Sequence, residues 1–159
     1  VDAEYITRIQ IRETIHSHLE KEKELYKKGI KVLSLFFIDE VAKYKYYKDG
    51  TALKGEYAKM FEEEYNDLIN TKFKDLKDSN LKYYDVSSVH DGYFSIDKKG
   101  RVKNTNGETA ADQTVYEKIM KNKERLLSFD EPLRFIVFSR NFFSIGIVIS
   151  IFTYIINKK

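Results

Sequence analysis

Gly50-Thr51-Ala52-Leu53-Lys54-Gly55 has the glycine spacing of a phosphate-binding loop. Such a loop cradles phosphate with backbone N–H groups and needs a lysine after its second glycine. Here Glu56 is the next residue, and its carboxylate would repel phosphate. No strand feeds the segment, so this chemistry is set aside. His16 and His18 are two residues apart, and on a helix they point to different faces, which does not chelate a metal. With His90 they read as ordinary surface or partly buried imidazoles. Glu62, Glu63 and Glu64 are adjacent carboxylates that point apart on a helix, and they read as a solvated face. No serine sits in a nucleophile-elbow context, and cysteine is absent altogether. No catalytic residue and no metal ligand is assigned.

A basic cluster is the remaining chemical signal. Lys98, Lys99, Arg101 and Lys103 come closely after Tyr93 and Phe94. Lysines and arginine beside aromatics can hold phosphates and stack on bases, so these residues, with Tyr93, are the nucleic-acid-binding candidates. The flanking Tyr93–Ile96 and Arg101–Lys103 around Asp97-Lys98-Lys99-Gly100 read as a β-hairpin.

The elements that would position these residues alternate between helix and strand. From about Thr7 to Lys28, Ile11, Ile15, Leu19 and Leu25 with Tyr26 form the apolar stripe of an amphipathic helix, which Gly29 can close with a left-handed cap. Val32–Ile38 is apolar on both faces, as suits a strand buried between two layers in a parallel sheet. Glu40–Lys54 reads as a connection with an Asp49-Gly50 turn. A second helix is predicted from Gly55 to Leu76, Lys77–Val89 reads as irregular, and a third helix is predicted from Ala111 to Leu127. Pro132 stops it, and Leu133–Phe138 reads as another buried strand.

The chain has 159 residues, 42% hydrophobic and 33% charged, with a formal net charge of +3. That fits one globular domain and permits contact with nucleic acid without demanding it. The lack of cysteine excludes disulfides, thiolate zinc sites and cysteine nucleophiles, and is simplest in the cytoplasm. The start at Val1 shows no signal peptide and suggests a piece of something longer. Phe142–Ile156 runs fifteen residues without charge. As a helix it would span roughly 22 Å, short of a bilayer core, so a membrane span is disfavoured against a buried or aggregation-prone strand.

Four blocks, QIRETIHSHLEKE, GIKVLSLFFID, VHDGYFSIDKKGRVK and YEKIMKNKERLLSFDEPLRFI, together resemble type III restriction enzyme helicase subunits. The resemblance implies an α/β fold: residues 1–139 as a partial second RecA-like motor domain with an inserted helix and hairpin. Within it, Phe36, Phe37, Ile38 and Asp39 end the first strand in a motor motif. It also implies a parent enzyme that uses ATP and Mg, translocates on and cuts double-stranded DNA, and works with a methyltransferase subunit and its own first RecA-like domain. After Phe138-Ser139 the likeness stops. The segment 140–159 has lost its charge abruptly, as after a frame change, and the motif V and arginine-finger residues have no counterparts here. The expectation is an inactive fragment that carries no cofactor of its own. The alternatives are a stand-alone nucleic-acid-binding module that uses the basic cluster, or a membrane-anchored interaction protein that uses the tail.

Overall fold

The computed structural model describes residues 2–94, 123–139 and 148–153. Helix α1 spans Ala3–Leu25, and Asp2 caps it by accepting a hydrogen bond from the Glu4 N–H at 3.0 Å. A 3-10 turn, Tyr26–Lys28, extends it to Gly29, whose φ of 72° is the left-handed cap expected of that glycine. Strand β1 is Val32–Ile38, and every residue in it is buried.

After β1 come β2 (Lys45–Lys48), β3 (Thr51–Lys54) and helix α2 (Glu56–Asn70). Two short helices come next, α3 (Lys74–Ser79) and α4 (Val86–Val89), then strand β4 (His90–Tyr93). Helical turn α5 is Lys123–Leu126, β5 is Phe135–Ser139 and β6 is Val148–Thr153.

The main sheet has the order β4-β5-β1-β6. β1, β5 and β4 are parallel, with Phe36 opposite Val137 and Tyr93 opposite Phe138. β6 joins the other edge of β1 antiparallel, with Ile149 opposite Phe36. The buried parallel strands therefore match the α/β class expected from the apolar runs.

Two cores explain why β1 is apolar on both faces. Phe36 and Ile38 join Ile11, Ile15 and Leu19 of α1 and Phe61 and Tyr65 of α2 in one cluster. Leu33, Leu35 and Phe37 join Leu126, Leu127, Ile136 and Phe138 in the other. Strand periodicity of two sends alternate residues to opposite layers, so a single run has to satisfy both. Each fully buried Leu or Phe is worth about 2 kcal/mol relative to exposure.

Four expectations need correction. The helix predicted for Gly55–Leu76 stops at Asn70, because Asn70 Nδ2 and Thr71 Oγ1 donate to the carbonyls of Asn66 and Asp67 and turn the chain. The segment Lys77–Val89 is not wholly irregular, since it contains the end of α3 and all of α4. Glu40–Lys54 is not a plain connection: Asp49 (φ 51°) and Gly50 (φ 79°) make the tight turn of a hairpin between β2 and β3. Tyr93 does not begin a hairpin arm among the described residues, because it ends β4 in the parallel sheet. Most of the third predicted helix lies outside the described residues.

Candidate functional site

Phe36, Phe37, Ile38 and Asp39, the residues expected to carry a motor motif, sit where β1 leaves the sheet. Phe36 packs edge-on against Phe61 at 6.0 Å between ring centres, and Phe37 stacks on Phe138 at 5.5 Å. Ile38 is 2% exposed, so Phe36, Phe37 and Ile38 are core, and their part is to fix the position of Asp39. Asp39 is accessible. Its Oδ1 accepts from the Glu40 N–H at 2.9 Å and its Oδ2 from Lys43 Nζ at 3.1 Å. Burial pushes the Lys43 pKa down, but hydrogen bonds to Asp39 and Tyr57 outweigh this and raise it. In α/β sheets ligands gather outside the carboxyl ends of the strands, and Asp39 stands at such an end.

Of the nucleic-acid candidates, Tyr93 is half-buried beside the second core cluster. Its phenol is pushed upward by burial and by Asp91. Lys98, Lys99, Arg101 and Lys103 lie outside the described residues.

Sequence reasoning missed two polar constellations. The first lines a cleft of about 240 Å³ between the β2–β3 hairpin, α2 and the start of β4. Tyr44 Oη and His90 Nδ1 share a hydrogen bond of 2.6 Å, and His90 Nε2 lies 3.6 Å from Glu62 Oε2. Lys54 Nζ closes the set on Glu62 Oε2 at 3.0 Å. Burial raises the Tyr44 phenol, so it stays protonated and donates to His90 Nδ1. The imidazole proton is then on Nε2, facing Glu62. Burial holds the His90 pKa below 6.5 although Glu62 opposes it. A protonated phenol, a neutral imidazole and a lysine-paired carboxylate tie the hairpin, α2 and β4 together by polar contacts and offer no activated nucleophile. Glu62 is thus no solvated carboxylate.

Glu64 is not solvated either. Arg8 Nη1 reaches Glu64 at 3.1 Å and Glu63 at 2.9 Å, while Arg12 Nη1 holds Glu64 and Asp67, each at 2.7 Å. The rotation of about 100° per helical residue sends Glu62 toward His90 and Glu64 toward α1.

The second constellation is fully buried. Arg134 donates to Glu22 Oε1, to the Tyr83 carbonyl at 3.2 Å and to the Pro132 carbonyl at 3.1 Å. Its guanidinium lies over the rings of Tyr83 and Tyr84, 4.3 and 4.6 Å from their centres. His18, one helical turn before Glu22, shares a 2.6 Å hydrogen bond with Ser34 of β1. His18 is therefore a fully buried imidazole and not a surface one. The available signal was Arg134 itself, a cation inside the otherwise apolar run Leu133–Phe138, which requires a buried partner.

Comparison with known proteins bears on what this scaffold belongs to. The Res subunit of the Escherichia coli type III restriction-modification enzyme EcoP15I is 37% identical over 138 residues, covering 79% of this chain. The Res subunit of EcoPI, from Escherichia phage P1, is 36% identical over 134 residues, again covering 79% of this chain. The chain matches part of a type III restriction enzyme Res subunit. A third Res subunit, that of StyLTI from Salmonella typhimurium, is 28% identical over 142 residues. The chain spans 13% of the length of each of these Res subunits. No protein-family model matches it, and no solved structure does. Among the described residues, no helix of this Res-related chain is long and apolar enough to cross a membrane, and no cluster of three metal-binding side chains occurs.

Proposed function

We propose that the chain is a fragment of the ATP-dependent, DNA-translocating endonuclease subunit of a type III restriction-modification system. The observation that carries this is the match to Res subunits over 79% of the chain, set against 13% of their length. On this reading residues 1–139 belong to the second RecA-like motor domain. β1 and β5 form its rigid centre, and Asp39 stands at the strand end that faces the rest of the motor. ATP and Mg are held elsewhere in the parent, which acts on double-stranded DNA together with a methyltransferase subunit. The hydrogen-bonding cleft and the buried ion pair hold a framework, and neither performs chemistry.

The isolated chain then hydrolyses no ATP and cuts no DNA. Purified protein incubated with 1 mM ATP, Mg and double-stranded DNA should show no turnover above buffer, and measurable phosphate release would overturn the reading. The tail has its own test. If 140–159 arises from a frame change, another reading frame after the codon for Ser139 encodes a charged segment resembling the motif V that has no counterpart here. A gene without one would remove the frame change.

A further inference from the structure

The β2–β3 hairpin combines features that the fragment reading does not use. Residues 43–54 hold four lysines (Lys43, Lys45, Lys48 and Lys54) against one acidic residue, Asp49. Lys43 is held by Asp39 and Lys54 by Glu62. Lys45 and Lys48 form no ion pair among the described residues. Between them, Tyr46 is 38% exposed and stands directly opposite Leu53, itself 37% exposed. Every residue of β3 is exposed, so one side of this ribbon is covered by nothing among the described residues. Two-stranded ribbons are marginal by themselves. This one is tied down at its base, where the Gly55 N–H donates to the Tyr44 carbonyl at 2.7 Å and Lys54 binds Glu62.

From this placement we propose that the β2–β3 hairpin is a contact surface for single-stranded DNA, with Lys45 and Lys48 on phosphates to either side of the ribbon edge and Tyr46 stacked on an unpaired base beside Leu53. Charge complementarity selects a polyanion over a neutral protein partner: two unpaired cations flank an exposed aromatic ring, and the turn carries the single opposing charge. Stacking selects a strand with unpaired bases over a duplex, because a paired base offers no free face. The spacing also fits. Tyr46 and Lys48 lie on one face of β2, and Lys45 on the other, beside the cleft. A strand crossing the ribbon edge would meet a cation on each side. The surface rests on the restriction-subunit reading only for the choice of DNA as the polymer.

The test is fluorescence anisotropy of a labelled oligo-dT 20-mer titrated with the full chain between 50 and 200 mM salt. Binding should weaken with salt, and Lys45→Gln with Lys48→Gln should flatten the slope of log K against log salt by about 1.4, the release expected for two single-strand phosphates. Tyr46→Ala should weaken binding about tenfold and leave that slope unchanged. A control removes the same charge from α1, with Lys21→Gln and Lys23→Gln, and should bind as the parent does. The proposal falls if the parent binds no oligo-dT, if the α1 control loses as much as the hairpin variant, or if a duplex binds with the same dependence on Tyr46. Phosphate release from ATP would defeat the fragment reading and leave this contact standing. Loss of hairpin dependence would defeat the contact alone.

Discussion

Arg134 and Glu22 lie 112 positions apart in the sequence and meet as an ion pair with 0% and 1% of their side chains exposed. Through it the residue that leads into β5 is bonded to the last full turn of α1 across the body of the fold. Pairing in a dry interior stabilises only while both charges remain. Arg134→Met should cost about 3–5 kcal/mol, because Glu22 would be left charged and unpaired. The double variant, with Glu22→Leu as well, should recover most of that loss. Urea denaturation of the three proteins checks this, and a double variant as unstable as the single would contradict it.

The same cluster sets how stability depends on pH. Burial pushes the Glu22 carboxyl up, but the charge of Arg134 and the neighbouring His18 outweigh it and hold the pKa at about 2, against an ordinary 4.5. Folding therefore favours the carboxylate. Its contribution is complete above 4.5 and is lost as pH falls toward 2. Burial also depresses the His18 pKa below 6.5, despite Glu22 and with Arg134 and Lys31 acting in the same direction as burial. The unfolded chain then takes up a proton that the folded chain resists, and stability falls as pH drops below 6.5. His90 acts in the same sense. Urea midpoints should be highest above pH 6.5 and decline steadily to pH 3. His18→Asn should flatten the upper part of that decline, and a midpoint that rises on acidification would refute the account.

How much of this was readable depends on whether the signal is local. β1 was legible because an apolar run satisfied on both faces has few other uses, and the Gly29 cap because a glycine ending a helical stripe is a backbone requirement. The hairpin was half legible. Asp49-Gly50 marks the turn, but four-residue arms rich in Lys and Tyr show too little alternation to declare themselves strands. The partners of Arg134, Glu64 and His18 were not legible. Each is fixed by how α1, α2 and β5 pack, and sequence spacing does not encode which of several carboxylates a buried cation meets. For the candidate site, the strand leading to Asp39 could be read, whereas the cleft at Tyr44, Glu62 and His90 draws on three elements separated by long intervals.

Gly55 precedes α2 with no room for a side chain. A Cβ there would come within 2.3 Å of the carbonyl of Lys43 and 2.5 Å of that of Ala42, both backbone atoms that cannot swing away. Its own N–H anchors the hairpin to Tyr44. Gly55→Ala should therefore destabilise by about 1–3 kcal/mol, as overpacking does, and alanine is also the poorer residue at the N-cap position that Gly55 occupies. Hydrogen exchange should show the damage first in β2 and β3. A variant as stable as the parent, with unchanged protection there, would mean the approach of Lys43 to Gly55 is looser than this.

The edge of β1 supplies the last prediction. β1 is apolar throughout, and its second edge is paired only by β6, antiparallel from Val32 opposite Thr153 to Phe37 opposite Val148. An uncovered edge of this composition presents unpaired N–H and C=O groups flanked by Val, Leu and Phe, which is a template for another chain. The tail, uncharged from Phe142 to Ile156 and rich in β-branched residues, is itself an aggregation hazard when free. Placed as β6, it closes a worse one. Truncation after Ser139 should therefore not improve solubility: the shortened protein should self-associate with a strong dependence on concentration, seen as early-eluting species in size-exclusion chromatography and as rising light scattering. Ile149→Pro, which removes one backbone donor within β6, should move the full chain part-way in the same direction. A truncated protein that stays monomeric and as stable as the parent would show that β6 contributes nothing to the sheet.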